Sequence, residues 1–518
     1  MSRINTNVSS LIAQRVLGQN NQSLGTTLER LSTGLRINRG KDDPAGLIAS
    51  QNLRADKVAI GAAISNAERA DQVVNIAEGG LDEISGLLTE LQGLVTSTAN
   101  TAGLSVEEKQ ANQLQIDSIL QTIDRVASAT SFQGAKLLNG NFDYTTTGVN
   151  GNVSAFKVNG AKLGFNESRN VDVIVTTSAQ VGGFFLSFGA GSLNLGGAGA
   201  SDGATSSFVI EVTGAKGSRE LSFSSGATLS DIATAINSFT DVTGVEAAVS
   251  GTTGIRLASD AFGSDQFVGV KVVDDGGIGA ASNTGLYNFE SQDTNAAAAS
   301  RLSTFGAANN QIKDAGQDVK ATINGIVATT QGTKARISTD FLDVELDLSS
   351  TGSGTNAQTL GAMSAFTITG GGADFQLAGR VDIAGKVSLG ISNVAARSLG
   401  KLVEGSSNYF LSNLGSGSSL NVVSGDISTA QDVVGNAIKE VSSLRGRLGS
   451  FQQNTVGATI RSLGIAFENT AAAESSIRDV DFAKETANLT RSQILVSSAQ
   501  NTLGLANVQP QSALQLLG

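Results

Sequence analysis

Two of the side chains that carry most protein chemistry are missing from this 518-residue chain, which has no His and no Cys. Without His the commonest general base and metal ligand is gone, and without Cys there is no thiolate and no disulfide. Ser–His–Asp triads, Cys–His dyads and His-ligated zinc sites are therefore excluded. What remains is carboxylate chemistry, which glycosidases perform with two converging acids. Asp343, Glu345 and Asp347 alternate along a strand-like run. Such a row suits a cation site or the wet face of a strand, and the wet face is the expectation. Asp260 and Asp265 read as turn residues rather than a converging pair. Gly34 to Lys41 has the look of a phosphate-binding loop. Its glycines, however, are one residue too far apart, and Asp42 stands where a hydroxyl is needed. The Gly-rich runs Gly189–Gly199 and Gly370–Gly372 read as plain loops. No enzyme activity, cofactor or metal is expected.

The elements that organise the chain lie near its ends. Stepping by three and four from Ile60 gives Ala63, Ala67, Ala70, Val74, Ala77, Leu81, Ile84, Leu88, Leu91 and Val95. A stripe so regular predicts one long helix with a coiled-coil seam. Gly79-Gly80 weakens it locally and allows a bend. Far along the chain, Ala430, Val434, Ala437, Val441, Leu444, Leu448, Phe451, Thr455, Ala458, Ser462 and Ile465 repeat the pattern, broken only by Thr455 and Ser462. Matching stripes near opposite termini predict that the ends pack together and the middle loops out. A third helix is expected from about Val106 to Thr130, its apolar face Leu114, Ile116, Ile119, Leu120, Ile123 and Val126.

Outside these lie two weaker heptads. In the first forty residues Leu17, Leu24 and Leu31 are seven apart, with Leu28 and Leu35 between and Ile4, Val8 and Leu11 leading in. Gly18, Gly25 and many Asn and Gln make this helix one that folds only against partners. Pro44 fits the first turn of the next helix, with Asp42 or Asp43 as its cap. In the last forty residues Phe482, Leu489, Val496 and Leu503 are seven apart, with Ala499 and Ala506 between. Pro510 is expected to end that helix, before a last apolar knot that includes Leu514 and Leu517.

Between about Leu137 and Ile427 the chain turns to Gly, Ser, Thr, Ala and Asn, with short alternating runs that read as strands. Thr205 to Val273 suggests a ββαβββ module, with Thr228 capping the helix. Asn324-Gly325 suits a two-residue hairpin. The fold class is multidomain α plus β: long N- and C-terminal helices form coiled-coil or helical-bundle core domains, and a β-rich variable outer region is inserted between them.

The formal charge of −11 disfavours nucleic acid as a partner. No run approaches eighteen apolar residues, so no membrane insertion is expected, and residues 1–7 lack the features of a secretory signal peptide. Narrow apolar seams at both ends would leave leucines wet in a monomer, each forgoing roughly 1.5–3 kcal/mol. An intramolecular stalk is one answer. The expectation is a self-assembling subunit, whose non-closing contacts between identical copies would build a helical filament.

Several stretches resemble bacterial flagellin: Met1–Asn7, Leu28–Asn38 (LERLSTGLRIN), Lys41–Gly46 and Ile64–Leu81 at one end, and Ile477–Phe482 (IRDVDF), Leu489–Ala499 and Gln500–Asn507 (QNTLGLAN) at the other. The likeness covers about 1–140 and 425–518, and 205–273 resembles the flagellin and hook insertion repeat. It implies inner core helices at 1–40 and 479–518. Around them would be a helical shell from 41–175 and 406–478, with a β-rich variable outer region at 176–405. The terminal helices would carry self-assembly, and Leu81, Ile84, Leu88, Leu91, Val95, Val441, Leu444 and Leu448 would form the shell seam. Partners implied are other copies in a helical homopolymer, hook–filament junction proteins, the filament cap and a flagellar export chaperone. The subunit would leave the cell unfolded through the flagellar type III apparatus, without a cleavable signal, and sit in the extracellular filament. At the places where receptor-activating flagellins present arginine, leucine and glutamate to Toll-like receptor 5, this chain has Glu90, Leu94 and Gln115. Recognition is therefore expected to be weak. The alternatives are a hook-associated junction protein, a stalked surface adhesin and a carboxylate-only hydrolase.

Overall fold

The computed structural model describes residues 6–100, 103–164, 166–195, 207–278, 283–288, 300–350, 357–404 and 407–515, with the backbone alone from 510 to 515. The chain divides into two compact units. The first is Met1–Gly79, Phe375–Val387 and Arg445–Gly518, and the second Gly80–Asp374 with Ser388–Leu444.

In the first unit, helix α1 (Val8–Thr33) begins at Asn7, whose side chain accepts the Ser10 amide, and stops at Gly34 in the left-handed conformation. Helix α2 (Pro44–Thr98) opens on Pro44, and Asp43 accepts the Gly46 amide at 2.9 Å. Asp42 instead closes the preceding turn, accepting the Asn38 and Arg39 amides. The Arg39 amide, ahead of that of Asn38, holds the Asp42 carboxyl below its ordinary value. Within this unit α2 buries Ala63, Ala67, Ala70, Val74 and Ala77 as expected, while Ile60 is half-buried.

The far stripe needs a correction. It runs down helix α6 (Ile427–Ser450) as expected, but Phe451–Val456 is a π-helical segment before helix α7 (Gly457–Arg478). A π turn takes in an extra residue and rotates everything after it. Val456 is consequently buried in place of Thr455, and Ala458, Ser462 and Ile465 face solvent. Around the π segment, Gln452 donates to Asp71 and Asn75, both at 2.9 Å, and Phe375 packs on Phe451 with ring centroids 5.9 Å apart. Arg445–Glu78 (2.8 Å) and Lys57–Glu474 also join α2 to the C-terminal helices, fixing an antiparallel run.

In the second unit α2 continues without a break past Gly79-Gly80 and buries Leu81, Ile84, Leu88, Leu91 and Val95 completely. Gly80 is required by packing. A Cβ there would lie 2.6 Å from Thr130 Oγ1 and 2.8 Å from Leu138 Cδ1. Helix α3 (Val106–Ala129) starts from a Ser105–Glu108 capping box. It buries Ile116, Ile119, Leu120, Ile123 and Ala127, but the expected Leu114 is exposed and Val126 only half-buried. Gln113 takes the inward position. It donates to Leu414 O (2.8 Å) and Asp117 (2.9 Å) and accepts from the Val422 amide (2.9 Å), tying α3 to the 3₁₀ turn Leu411–Leu414.

Among the described residues, four antiparallel sheets of four or five strands make up most of the rest of this unit, beside short two-stranded ribbons. Strands Gly183–Phe188, Gly254–Ser259, Val245–Ser250, Thr284–Asn288 and Arg301–Ser303 form one sheet; Ser207–Gly214, Ser218–Ser224, Phe267–Asp274 and Ile312–Ala315 form a second. Helix α4 (Leu229–Asn237) and the two sheets share one core, which includes Phe208, Ile210, Ile232, Ile255, Leu257 and Val270. A single turn, α5 (Thr240–Thr243), follows α4. Thr228 caps α4 as expected. The order of elements across 205–273 is also as expected, but its strands split between two sheets and pair with segments outside that range. The other two sheets draw on Tyr144–Thr147, Val153–Ala161 and Arg169–Thr177 together with strands between Lys320 and Gly371, around Val171, Val173, Val344, Leu346 and Phe366. Asn324-Gly325 makes the expected hairpin turn, both residues at positive φ. No helix of the described residues is long and apolar enough to cross a membrane.

Candidate functional site: the paired terminal helices

Helices α1 and α8 (Phe482–Gln515) lie antiparallel, as three contacts show. Ser10 donates to Asn507 (2.7 Å), Asn20 to Leu495 O (3.2 Å), and Arg30 Nη1 stands 4.0 Å from Glu485. On α1 the partner-facing heptad reads Ser10, Ala13, Leu17, Asn20, Leu24, Thr27, Leu31. On α8 it reads Glu485, Leu489, Ser492, Val496, Ala499, Leu503, Ala506. The leucines and valine of both rows are only half-buried. The buried positions are the small and polar ones: Ser10, Ala13 and Thr27 on one side, Glu485, Ser492, Ala499 and Ala506 on the other.

The expected heptads 17/24/31 and 489/496/503 do face the partner helix. Val8, Leu11 and Leu28 do not, because they fall off the three-four step that starts at Ser10; all three are exposed. Leu35 lies past the end of α1, in a bridge to Asp479. Phe482 is exposed, its ring 3.8 Å from where a Cβ on Gly34 would stand. Leu514 is within α8 by its backbone, while Ile4 and Leu517 lie outside the described residues. Ile12, Val16, Ile494, Leu495, Leu505 and Val508 are further exposed large side chains on the pair, Leu505 reaching 73% and Ile494 64%. The pair is thus fully buried only at small and polar positions, holds its seam leucines and valine half-buried, and presents a second set of bulky apolar residues outward.

Pro510 does not end α8, which continues to Gln515. A proline inside a helix has no N–H for the carbonyl four residues back, here that of Ala506. Asn7 Nδ2 donates to that carbonyl at 2.7 Å. One side chain therefore caps the start of α1 and serves the carbonyl that Pro510 leaves unpaired in α8. Near the other end of the pair, Gln19, Gln22, Arg30, Asn488 and Arg491 line a polar cleft of about 500 Å³, and Arg30 Nε is buried with no partner.

The expected shell-seam residues Leu81, Ile84, Leu88, Leu91, Val95, Val441, Leu444 and Leu448 are all buried. Glu90 and Leu94 stand one turn apart on α2, Glu90 exposed and Leu94 half-buried; Gln115 is exposed on α3.

The carboxylates have structural partners. Asp343 pairs with Arg336 at 3.1 Å, Asp347 accepts from Thr333, and the row Asp343, Glu345, Asp347 is the outer face of a strand whose other side is buried. Asp260 pairs with Lys216 and Asp265 accepts from Gln331. Among the described residues no group of acids is arranged to hold a metal ion. A cleft of about 940 Å³ is lined by Tyr144, Lys157, Lys401 and Glu440 among others. Burial pushes the Glu440 carboxyl above its ordinary value, against the pull of the Gly400 amide at 3.1 Å and of Lys157.

Family comparisons agree with the placement of these helices. Residues 4–143 match the bacterial flagellin N-terminal helical region, 431–517 the bacterial flagellin C-terminal helical region, and 207–261 the flagellin hook IN motif. The chain belongs to the bacterial flagellin family. It is 28% identical to flagellin B of Helicobacter pylori over 548 residues, covering 99% of each chain. To flagellin E of Vibrio cholerae it is 41% identical over 139 residues, 27% of this chain and 36% of that one. Among solved structures it is similar to FliC of Burkholderia pseudomallei (16% identity, 74% of this chain and 99% of that, TM-score 0.23). It is also similar to flagellar hook associated protein-3 of Legionella pneumophila (11% identity, 86% and 99%, TM-score 0.24). As a flagellin the chain is a structural protein of the flagellar filament, and its long terminal helices with a β-rich middle are the architecture expected of it.

Proposed function

We propose that this flagellin polymerises through the outward faces of α1 and α8. The observation that supports this is the inversion of the pair, with Ser10, Thr27, Ser492 and Ala499 buried and Leu11, Ile12, Ile494 and Leu505 exposed. A helix pair stable by itself would bury its largest side chains, since each gains roughly 1.5–3 kcal/mol on full burial. Here that gain is open to neighbouring copies. Residues 1–40 and 479–518 form the inner core, 41–175 and 406–478 the shell, and 176–405 the outer surface. The filament serves as an extracellular propeller for motility. The subunit travels unfolded through the flagellar type III apparatus, with a chaperone holding the exposed apolar residues of α8. Junction and cap proteins meet the ends of the polymer. With Glu90 and Gln115 at the receptor-patch positions, activation of Toll-like receptor 5 is weak, and a reporter response equal to that of a fully matching flagellin would overturn that part.

Seeded polymerisation followed by electron microscopy tests the main reading. The full chain forms filaments, and a chain lacking residues 1–40 and 479–518 forms none. Filaments from both would refute a role for the terminal helices; filaments from neither would favour a junction protein.

A further inference from the structure

The open cleft of about 940 Å³ beside Glu440 lies wholly within the second unit. Strands Val153–Ala161 and Lys334–Ser338, the segment 392–401 and helix α6 each contribute to its lining. The segment is held firmly. The Gly390 amide just before it donates to Asn159 O (2.9 Å), the Val394 amide to Leu138 O (3.0 Å) and the Gly400 amide to Glu440 (3.1 Å). At Gly400, where φ is +73°, a Cβ would stand 2.5 Å from Val433 O, so the segment sits directly on α6. The cleft is therefore built into the packing of this unit.

Four lysines line it, each from a different element: Lys157, Lys334, Lys401 and Lys439. Against them stand three carboxyls, Asp143, Glu345 and Glu440, which leaves a local excess of positive charge in a chain of formal charge −11. Lys157 lies opposite Glu345 in the strand register. Lys334, Lys401 and Lys439 are in no ion pair among the described residues. Amines gathered without counter-charges favour an anion between them, because bringing like charges together costs energy that an anion returns. Glu440 is half-buried at the same cleft: its Oε2 accepts the Gly400 amide, and its Oε1 has no hydrogen-bond donor among the described residues.

We propose that this cleft binds a short acidic oligosaccharide, its carboxylates on Lys334, Lys401 and Lys439 and its hydroxyls on Glu440 Oε1, Ser398 and Ser443. The mixture of charges decides the class. A dense polyanion such as polyphosphate would meet Asp143, Glu345 and Glu440 as well as the lysines. A uronate chain carries one charge per ring with hydroxyl donors between, and those donors suit carboxylate acceptors. Phe156, 37% exposed at the cleft, offers an apolar surface for a ring face. Nothing in this site depends on polymerisation.

The test is isothermal titration calorimetry of the unpolymerised full chain with trigalacturonic acid at low salt. Maltotriose serves as the neutral control and inorganic phosphate as the simple anion. The variant is Lys401→Gln Lys439→Gln, both lysines being exposed, with circular dichroism and Tm as fold controls. The expected result is binding of trigalacturonate by the wild type, roughly tenfold weaker in the double variant, with helix content and Tm unchanged and no binding of maltotriose or phosphate. Lowering the pH from 7 to about 5 should tighten wild-type binding, because Glu440 sheds its charge as pH falls through its raised pKa while the uronates stay ionised. Glu440→Gln should remove that gain. No binding of trigalacturonate, equal binding by the double variant, or phosphate bound as tightly as the trisaccharide overturns the assignment, the last reducing the cleft to an unspecific anion trap.

Discussion

The double duty of Asn7 gives a prediction with a worked magnitude. Asn7 Oδ1 accepts the Ser10 amide at 3.0 Å, and its Nδ2 donates at 2.7 Å to Ala506 O, the carbonyl that Pro510 cannot serve. Asn7→Ala removes a helix cap, which costs about 1 kcal/mol. It also strands a carbonyl on a residue that is otherwise buried, which costs about 1 kcal/mol more. A total near 2 kcal/mol corresponds to roughly thirtyfold faster local opening. Amide hydrogen exchange across residues 499–508 reads this directly. In a Pro510→Ala background, residue 510 supplies its own N–H to Ala506 O, so Asn7→Ala there should cost only the cap, roughly fivefold. The double-mutant cycle should therefore show a coupling of about 1 kcal/mol. Additivity to within about 0.3 kcal/mol would mean that Asn7 and Pro510 act independently, and would refute the reasoning.

Three further outcomes follow from the second unit. Gln113→Leu strands the Leu414 carbonyl and the Val422 amide, both on buried residues, and should cost about 2–4 kcal/mol in urea unfolding; a loss below about 1 kcal/mol would contradict the role given to Gln113. Glu440 has a folded pKa above its unfolded value of 4.5, so its burial costs stability at neutral pH and that cost fades as pH falls through the raised pKa. Glu440→Gln should accordingly raise Tm at pH 7, with the advantage vanishing near pH 4, and a gain that persists there would point to another cause. Gly80→Ala should lower Tm despite a helix-propensity gain of about 1 kcal/mol, because Thr130 and Leu138 occupy the space; a raised Tm would show that they can move.

The long α2 stripe is legible because eleven positions from Ile60 to Val95 repeat one period with charged residues between them. The π segment is not. Phe451, Asn454, Thr455 and Val456 are weaker helix formers, but that does not distinguish a π turn from an α turn, and the contacts of Gln452 with Asp71 and Asn75 lie 377 to 381 positions away in sequence. In the terminal helices the leucine heptads are visible in the sequence, whereas the complementary row is small and polar and gives no apolar period. Ser10, Ala13, Asn20 and Thr27 nevertheless share one three-four step with Leu17, Leu24 and Leu31. Pro510 misled for a physical reason: its missing N–H is made good by a side chain 503 positions earlier, which no local rule sees. The strand runs of the middle region could be read one by one, but not the sheets, since Gly183–Phe188 pairs with Gly254–Ser259 and Thr284–Asn288 across intervening strands and helices.

The most direct test of outward-facing assembly is the polymer yield of Leu11→Glu and Leu505→Glu variants, measured by sedimentation after seeding. Both side chains are exposed in the single chain, so each variant should keep its helix content and Tm. The expected result is a folded monomer that no longer pellets as filament. Wild-type yield of filaments from both variants would contradict the central claim that these faces join the subunits.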